Sequence, residues 1–436
     1  MRLPPRWVVA VSFAVAAAIL GDSLLYAVLP TVWPQLGLEV GLVGVLLSAN
    51  RFVRLVSNPL AGWAMGRLGV RGPFLAAVFV AAVTTAAYAA GLGFFVLLVA
   101  RALWGVCWSF LRLGGYLAAL EAATAGNRGY YLGFFNGVTR FGSFVAVLAG
   151  GFLTDLVGFE TTVALFTALT VLGGLAVLRE RPPQPVHVNA TQPEVKAPDS
   201  TDGVQPSGAK SSADPGAVAA ATRRDTTSQW ASTERQRHVV YVTAFLQGFA
   251  LNGLVIATLG LWLLTAYGAT PRVLAVPLGV ATLTGILLGA RFLLDFLWGP
   301  VAGHLSDRYG RVPSALAAGT IEIGGLFALA LPDGLLWTVG VAIVIFLAST
   351  ALQVTLDAQV GGLAPTGGRA RTMSWHATWL DLGSAIGPLA GYLVSESLGL
   401  GWLYWIAAAA LAGIGLVYLA TFAGELHPRP VISTAR

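Results

Sequence analysis

The sequence predicts an all-α integral membrane protein in which 12 transmembrane helices form two pseudo-symmetric bundles of six. Three observations support this fold class. Of the 436 residues, 56% are hydrophobic and only 11% are charged, whereas a soluble protein is about 25% charged. The chain contains two groups of apolar runs, each run close to the roughly 20 residues that cross a bilayer. Segments 241 residues apart also resemble each other, which indicates a duplicated bundle.

The apolar runs form two groups of six on either side of a polar segment. They span about 7–30, 41–65, 73–92, 94–120, 130–155 and 160–178, and then about 239–267, 273–305, 313–331, 335–362, 372–398 and 401–423. The first run begins like a secretory signal peptide, with basic residues before apolar ones. Its apolar character continues to Pro30 without a clear cleavage site, so we expect it to be retained as the first helix.

The polar segment is rich in Pro, Ser, Thr, Ala and charged residues and has no apolar periodicity. Such a segment cannot bury enough apolar surface to fold by itself. We therefore expect an N-terminal six-helix bundle at 1–178, a flexible cytoplasmic linker at 179–237, a C-terminal six-helix bundle at 238–424 and a cytoplasmic tail at 425–436.

The distribution of Lys and Arg predicts the orientation, because cytoplasmic segments retain positive charge. With the N-terminus inside, cytoplasmic segments hold 19 of the 26 basic residues and external loops hold one, Arg272. Both termini and the linker are therefore predicted to be cytoplasmic, and the net charge of +6 reflects orientation and not nucleic-acid binding. The localisation that this predicts is the cell (inner) membrane.

The repeat is clearest in two short polar turns. The turn GPVAGHLSDRYGR, 299–311, has a weaker copy in NPLAGWAMGRLGVR, 58–71. Matching positions are Pro59 and Pro300, Gly62 and Gly303, Arg67 and Arg308, and Gly69 and Gly310. Shared apolar residues could arise by chance among membrane helices, but shared arginines in loops are not explained that way.

These motifs resemble the major facilitator superfamily over essentially the whole chain apart from the linker. GHLSDRYGR, 303–311, is similar to the family motif between helices 2 and 3 that recurs between helices 8 and 9, and RALWG, 101–105, is similar to its helix 4 motif. The resemblance implies that Asp307, Arg308 and Arg311 form a cytoplasmic latch in the outward-open state, together with Gly303 and Gly310. The first-half copy (Gly62, Arg67, Gly69 and Arg71) has Gly66 in place of the acid, so we expect a latch that is stronger in the second half.

Helix 1 is similar to that of the drug:proton antiporter branch, in Gly21-Asp22 followed by Leu29-Pro30. That branch also carries a Gly-Pro motif in helix 5. Here helix 5 keeps the small residues but lacks the proline, and Gly387-Pro388 lies in helix 11 instead.

Eleven ionisable residues lie within the predicted helices: Asp22, Arg51, Arg54, Arg101, Arg112, Arg140, Arg291, Asp295, Glu322, Asp357 and Asp381. Each costs about 2.5–3.5 kcal/mol near the bilayer centre, so they must face protein or water. The family packs helix 2 near 11 and helix 5 near 8, and the offset maps Arg54 onto Asp295 and Arg140 onto Asp381. We therefore predict two ion pairs between the halves, Arg54–Asp381 and Arg140–Asp295; the alternative is that each charge pairs within its own half or lines the cavity.

The family lines its substrate cavity with helices 1, 4, 7 and 10. The polar and aromatic residues that we assign to this cavity are Asp22, Tyr26, Arg101, Trp104, Trp108, Arg112, Tyr116, Gln247, Asn252, Gln353 and Asp357. Arg and Trp on one helix face suit an anionic or aromatic substrate; alternatively, the arginines neutralise nearby acids and the Trp residues only pack. Asp22 is the predicted proton-coupling residue, because protonation relieves the cost of burying a carboxylate.

The leading interpretation is a secondary active transporter that exports a drug-like compound or metabolite by alternating access, coupled to protons. Proton-coupled uptake of an organic anion is the alternative, and a membrane enzyme or a non-transporting sensor is an alternative of another class. No catalytic grouping, cofactor site or metal site stands out, and the single cysteine, Cys107, excludes a disulfide framework. The expected partners are a small-molecule substrate, protons and the lipid bilayer, without nucleic acid, and the functional unit is expected to be a monomer.

Overall fold

The computed structural model describes residues 4–123, 128–180, 232–273, 276–331, 333–364 and 369–425. In the first half the helices are α1 (Arg6–Val32), α2 (Val40–Leu68), α3 (Arg71–Ala87), α4 (Phe94–Glu121), α5 (Arg128–Val157) and α6 (Phe159–Arg179). In the second half they are α7 (Ser232–Tyr267), α8 (Val280–Tyr309), α9 (Arg311–Leu329), α10 (Leu335–Gly362), α11 (Arg369–Leu398) and α12 (Leu400–Phe422). Each predicted apolar run corresponds to one helix. Most of the predicted linker and tail lies outside the described residues.

Helix α7 contains a π-helical segment, Gly248–Val255, in its interior. A short antiparallel hairpin follows it, in which Arg272–Val273 pairs with Val276–Pro277.

The helices have the length and surface of membrane spans. Ten helices of the described chain are long and apolar enough to cross a bilayer. The others are α3, with only 17 residues, and α11, whose 30 residues include several ionisable ones. Large apolar side chains cover the outer surface; Phe95, for example, is 78% exposed and Leu416 is 69% exposed. Such an apolar exterior suits lipid contact.

Two glycines of the repeated motif end helices at the same end of the bundle. Gly69 follows α2 with φ 77°, and Gly310 follows α8 with φ 95°. Only glycine adopts such angles without strain, which explains why the motif keeps glycine at both positions. We name the end that holds Arg67, Arg71, Arg308 and Arg311 the basic end, and the other the opposite end.

The two halves meet along matched helix pairs. Within the first half, α1 packs on α5 and α6, and α2 packs on α4; within the second, α7 packs on α11, and α8 packs on α10. Between the halves, α2 packs on α11, α5 packs on α8, and α1 contacts α7 and α8. This is the neighbour pattern that the family resemblance implies.

Contacts between the halves are tightest at the opposite end. A methyl group added at Gly44 of α2 would lie 2.6 Å from the carbonyl oxygen of Pro388 of α11, and one at Gly260 of α7 would lie 3.0 Å from Pro30 of α1. Residues Gly151 of α5 and Gly285 of α8 also lie directly against the backbone of the other half. The absence of side chains at these positions lets the helices approach closely.

Glycines at the basic end make no such close contact with the other half. A Cβ atom added at Gly62 or Gly66 of α2, or at Gly133 or Gly137 of α5, would meet no described atom within 4 Å. The close glycine contacts between the halves thus lie at the opposite end, which we call closed, whereas these four glycines make none at the basic end, which we call open.

Candidate functional site

A central cavity lies between the halves and encloses about 210 Å³. Its walls come from α1, α2, α4, α5, α7 and α8. The lining residues are Ile19, Asp22, Ser23, Tyr26, Asn50, Arg51, Arg54, Trp104, Trp108, Ser143, Val147, Asn252, Ile256, Leu288, Arg291 and Phe292. Of the predicted cavity residues, Asp22, Tyr26, Trp104, Trp108 and Asn252 are in this set.

Asp22 is the carboxylate that faces the cavity, and two side chains hold one of its oxygens. Arg101 Nη1 of α4 pairs with Asp22 Oδ1, and Asn50 Nδ2 of α2 donates to the same oxygen over 2.9 Å. Arg101 also donates through Nε to the Leu46 carbonyl over 3.0 Å, and its Nη2 has no partner among the described residues. The charge of Asp22 is thus balanced by Arg101.

Arg101 does not line the cavity, contrary to our prediction. Its side chain is 1% exposed because it lies behind Asp22, where it neutralises the acid. The structure therefore supports the alternative interpretation, in which this arginine neutralises a nearby acid.

Aromatic rings form part of the cavity wall, close to Arg51 and Arg101. The indole rings of Trp104 and Trp108 stack with centroids 5.6 Å apart and an interplanar angle of 12°. The ring of Tyr26 lies 5.3 Å from the guanidinium carbon of Arg51 and 5.9 Å from that of Arg101. These distances fit cation–π contacts, so the cavity offers a flat aromatic surface beside positive charge.

Arg51 links the two halves by hydrogen bonds, a role that we did not predict from the sequence. Its Nη1 donates to the carbonyl of Asn252 in α7 over 2.8 Å and to that of Ser384 in α11 over 2.5 Å. Pro388 lacks the N–H that would bond to Ser384. In the π-helical segment the N–H of Ile256 bonds to the carbonyl of Leu251 and not to that of Asn252, so the Asn252 carbonyl can accept from Arg51. Pro388 was the signal in the sequence, since it frees a carbonyl at the level of a membrane arginine.

The predicted pair between Arg140 and Asp295 is brought together. Arg140 Nη1 of α5 lies 3.5 Å from Asp295 Oδ2 of α8. The other oxygen, Oδ1, is 2.9 Å from Arg291 Nη1 and accepts a hydrogen bond from Thr350 over 2.5 Å. Asp295 is therefore shared between its own half and the other half, so both alternatives for this acid hold at once.

The predicted pair between Arg54 and Asp381 is not formed in this structure. No ion pair within 4.0 Å involves Arg54 in the part of the chain described, and its Nε is buried without a partner. Asp381 nevertheless exerts the largest electrostatic attraction on it. Arg54 lines the cavity instead.

A contact across the halves that the sequence did not reveal closes the opposite end. Asp155 Oδ2, near the end of α5, accepts hydrogen bonds from the backbone N–H of Thr282 over 2.8 Å and from its hydroxyl over 2.5 Å. Thr282 lies in the first turn of α8. The carboxylate thus caps a helix N-terminus of the other half, where negative charge is favourable.

The remaining predicted cavity residues are not part of the lining of this cavity. On α4, Arg112 and Tyr116 lie about 12 and 18 Å beyond Trp104 toward the basic end, at 1.5 Å per residue, and the hydroxyl of Tyr116 donates to Asn136. Gln247 is buried and donates to the Ser349 carbonyl.

On α10, Gln353 and Asp357 are also not part of this lining. Asp357 Oδ1 lies 2.8 Å from His376 Nε2 of α11. Helix α10 contributes no residue to the lining of this cavity, whereas the resemblance implies that it lines the substrate pathway.

The predicted latch residues lie at the open basic end. Asp307 and Arg308 are exposed, and none of the ion pairs found among described residues includes Asp307. Arg311 donates to the Ala358 carbonyl, and Arg71 donates to the Leu178 carbonyl. Both bonds stay within one half, as expected of a state in which the basic end is open.

In the ranges that the structure describes, no group of three or more His, Cys, Asp or Glu side chains is arranged to hold a metal ion. The ionisable groups of the cavity are instead paired with one another or face its interior.

Comparison with known proteins assigns the chain to a family. The family model of the Major Facilitator Superfamily matches residues 11–297 and 271–435. The chain belongs to the major facilitator superfamily. It is therefore a multi-pass membrane protein of a transporter family and not of an enzyme family.

Two curated members of the superfamily are similar to parts of this chain. The class C tetracycline resistance protein of Escherichia coli is 31% identical over 162 residues, which cover 35% of this chain and 39% of that protein. The vesicular acetylcholine transporter of Drosophila melanogaster is 29% identical over 136 residues, which cover 31% of this chain and 24% of that protein. The matched part is less than half of either relative.

Solved transporter structures share the whole fold. A POT family transporter in complex with a thioalcohol-conjugated peptide superposes with a TM-score of 0.71 at 13% identity, and the match covers 96% of each chain. At this identity the likeness concerns the fold alone.

Proposed function

We propose that this transporter couples the movement of a small organic molecule to protons, and that the molecule has an aromatic or apolar part and a negatively charged group. The observation that carries the proposal is the composition of the cavity. Arg51 and Arg54 line it without a carboxylate partner within 4.0 Å among described residues, beside the stacked Trp104 and Trp108. A guanidinium binds carboxylate or phosphate groups through charge-assisted hydrogen bonds, and an indole stacks on flat rings.

Asp22 is the residue that we propose for proton coupling. It faces the cavity, and its charge is held by Arg101 and Asn50. Protonation of Asp22 removes its attraction for Arg101 and so changes the charge that the cavity presents to a substrate. Proton binding and substrate binding are thereby linked through one pair of side chains, as coupling between two ligands requires.

Alternating access requires the halves to move relative to each other. We propose that the bundles at 1–178 and 238–424 are the moving units and that one chain is the functional unit, because the cavity is built within one chain. The excess of Lys and Arg supports an orientation in which the basic end faces the cytoplasm and the protein lies in the cell (inner) membrane. The structure then corresponds to the inward-open state.

Export is the direction that we propose for a drug-like compound or metabolite. Two likenesses support it: helix 1 is similar to that of the drug:proton antiporter branch, and the aligned E. coli relative is a tetracycline resistance protein.

Uptake of an organic anion together with protons is the second candidate. Protonated Asp22 leaves Arg101 uncompensated, which makes the cavity more positive. A proton and an anion would then bind together and travel in the same direction, as in a symporter.

Reconstitution into lipid vesicles with an internal pH dye tests the proposal and separates the directions. Benzoate and larger aromatic carboxylates are added, with the matching uncharged amides as controls, and the response of protein-free vesicles is subtracted because neutral aromatic acids cross lipid by themselves. We expect carboxylates and not amides to move protons, and the sign of the internal pH change decides between exchange and co-transport.

Arg54→Gln should abolish most of this response, whereas Arg272→Gln, in the exposed hairpin, should leave it unchanged. Equal responses to carboxylates and amides would contradict the proposed substrate class. Proton movement that persists in Asp22→Asn would contradict the coupling residue.

A further inference from the structure

Glu322 is a buried acid that the proposed transport mechanism does not use. It lies on α9, its side chain is 0% exposed, and neither carboxylate oxygen has a hydrogen-bond partner among the described residues. An ionised carboxylate in such surroundings is very costly unless it is paired. A neutral carboxylic acid avoids most of this cost, so the site as built suits the protonated form.

Few charged or titratable groups face Glu322 from the helices that pack on α9. On α8, Arg291 is the one charged group that acts on it electrostatically in the described chain. On α12, the hydroxyls of Tyr404 and Tyr418 are bonded to Thr258 and Gln359.

On α10, the residues at the level of Arg291 are uncharged, namely Phe346 and Thr350. The acid of that helix, Asp357, is bonded to His376 toward the basic end. Arg291 is therefore the counter-ion available to an ionised Glu322.

In this structure Arg291 is turned toward Asp295 and not toward Glu322. Its Nη1 lies 2.9 Å from Asp295 Oδ1 and 3.0 Å from Thr350 Oγ1, whereas no ion pair within 4.0 Å joins it to Glu322. Asp295 in turn faces Arg140 of the first half at 3.5 Å. The four side chains thus form a row from α9 through α8 to α5, in which each arginine competes for an acid.

We propose that Glu322 is a second proton-binding site, and that its proton controls whether Arg291 pairs with Glu322 or with Asp295. With the proton bound, Arg291 stays with Asp295, and the link from Asp295 to Arg140 is weak. When the proton leaves, ionised Glu322 attracts Arg291, and Asp295 becomes available to Arg140 across the interface. Proton release therefore strengthens the contact between α5 and α8 and favours closure of the basic end, while proton uptake favours the open form described above.

The test measures the conformational equilibrium against pH and needs no substrate, so its result does not depend on the proposed transport activity. Spin labels are placed at Leu68→Cys and Tyr309→Cys, exposed positions at the basic ends of α2 and α8, in full-length protein that carries Cys107→Ser. Double electron–electron resonance in nanodiscs then gives the distance distribution between the halves.

We expect the open population of the wild-type background to fall as pH rises, and Glu322→Gln to remain open at every pH. Glu160→Gln is the matched control, because Glu160 is exposed, and it should titrate like the wild type. A Glu322→Gln protein with the wild-type pH midpoint, or a wild type without pH response, would overturn the proposal.

Infrared spectroscopy supplies a second measurement that remains decisive if Glu322→Gln fails to fold. The wild type should show a carbonyl band of a protonated buried acid that disappears over the same pH range as the conformational change. Glu322→Asp keeps an acid and should shift both the band and the midpoint. If neither shifts in Glu322→Asp, the titrating group is not Glu322.

Discussion

The close approach of α2 and α11 at the opposite end predicts how Gly44→Ala will act. The added methyl group would lie 2.6 Å from the Pro388 carbonyl oxygen and 2.7 Å from the Cβ atom of Tyr392. The carbonyl belongs to the backbone and cannot rotate away, so the helices must separate. Overpacking of this kind costs about 1–3 kcal/mol.

This cost destabilises only the conformation that is closed at the opposite end. Both contacted residues belong to the other half, and opening of the opposite end removes the clash. A penalty of about 1–3 kcal/mol on one of two states changes their ratio by roughly 5- to 150-fold. We therefore expect Gly44→Ala to shift the protein toward the state that is closed at the basic end.

The measurement uses spin labels at both ends of the molecule. The basic-end pair at Leu68 and Tyr309 should move closer in Gly44→Ala, and a pair at Phe95 and Trp402, exposed at the opposite end, should move apart.

Gly413→Ala on α12 is the control, because a methyl group there meets no described atom within 4 Å. It measures the gain in helix propensity, about 1 kcal/mol for Gly to Ala, without a clash. Unchanged distances in Gly44→Ala, or an equal shift in Gly413→Ala, would refute the reasoning.

Three further substitutions test the charges. Asp22→Asn leaves Arg101 as a buried, unpaired cation and should destabilise the protein by about 3–5 kcal/mol, measured by thermal unfolding in detergent. Adding Arg101→Gln should restore part of the stability but not proton coupling. An Asp22→Asn protein as stable as the wild type would argue against the pair. Asp155→Ala removes a helix cap worth about 0.5–2 kcal/mol and should favour opening of the opposite end by about 2- to 30-fold, in the same spin-label assay; no change would mean that the cap does not hold that end. Asp381→Arg should impair transport in vesicles, and the double swap with Arg54→Asp should restore some of it; a folded double variant without recovery would argue against a pair that forms as the basic end closes.

The number, order and approximate limits of the helices could be predicted from the sequence. A span of the bilayer needs a long apolar run whatever packs against it, so this signal is local. The repeat of Gly69 and Gly310 was also visible in the sequence, and the structure shows that each follows the end of a helix. Family membership followed from the same local motifs.

Only the tertiary structure decided which charges meet. The positions of Arg140 and Arg54 along their helices placed each of them at the membrane depth of an acid in the other half. In the structure, however, Arg140 lies 3.5 Å from Asp295, while Arg54 faces the cavity. Depth along a helix gives one coordinate, whereas an ion pair also depends on the rotation and tilt of two helices and on how far the halves have opened.

The bond from Arg51 to two carbonyls and the cap from Asp155 to Thr282 depend on the same distant geometry. Pro388 indicates that the Ser384 carbonyl has no helical partner, but residue types do not show which distant side chain reaches a free backbone group. The sequence by itself determined that the membrane charges must be paired or enclosed, because lipid would not tolerate them. The packing of α2, α5, α8 and α11 determined the partners, because hydrogen bonds and ion pairs act only over a few ångströms.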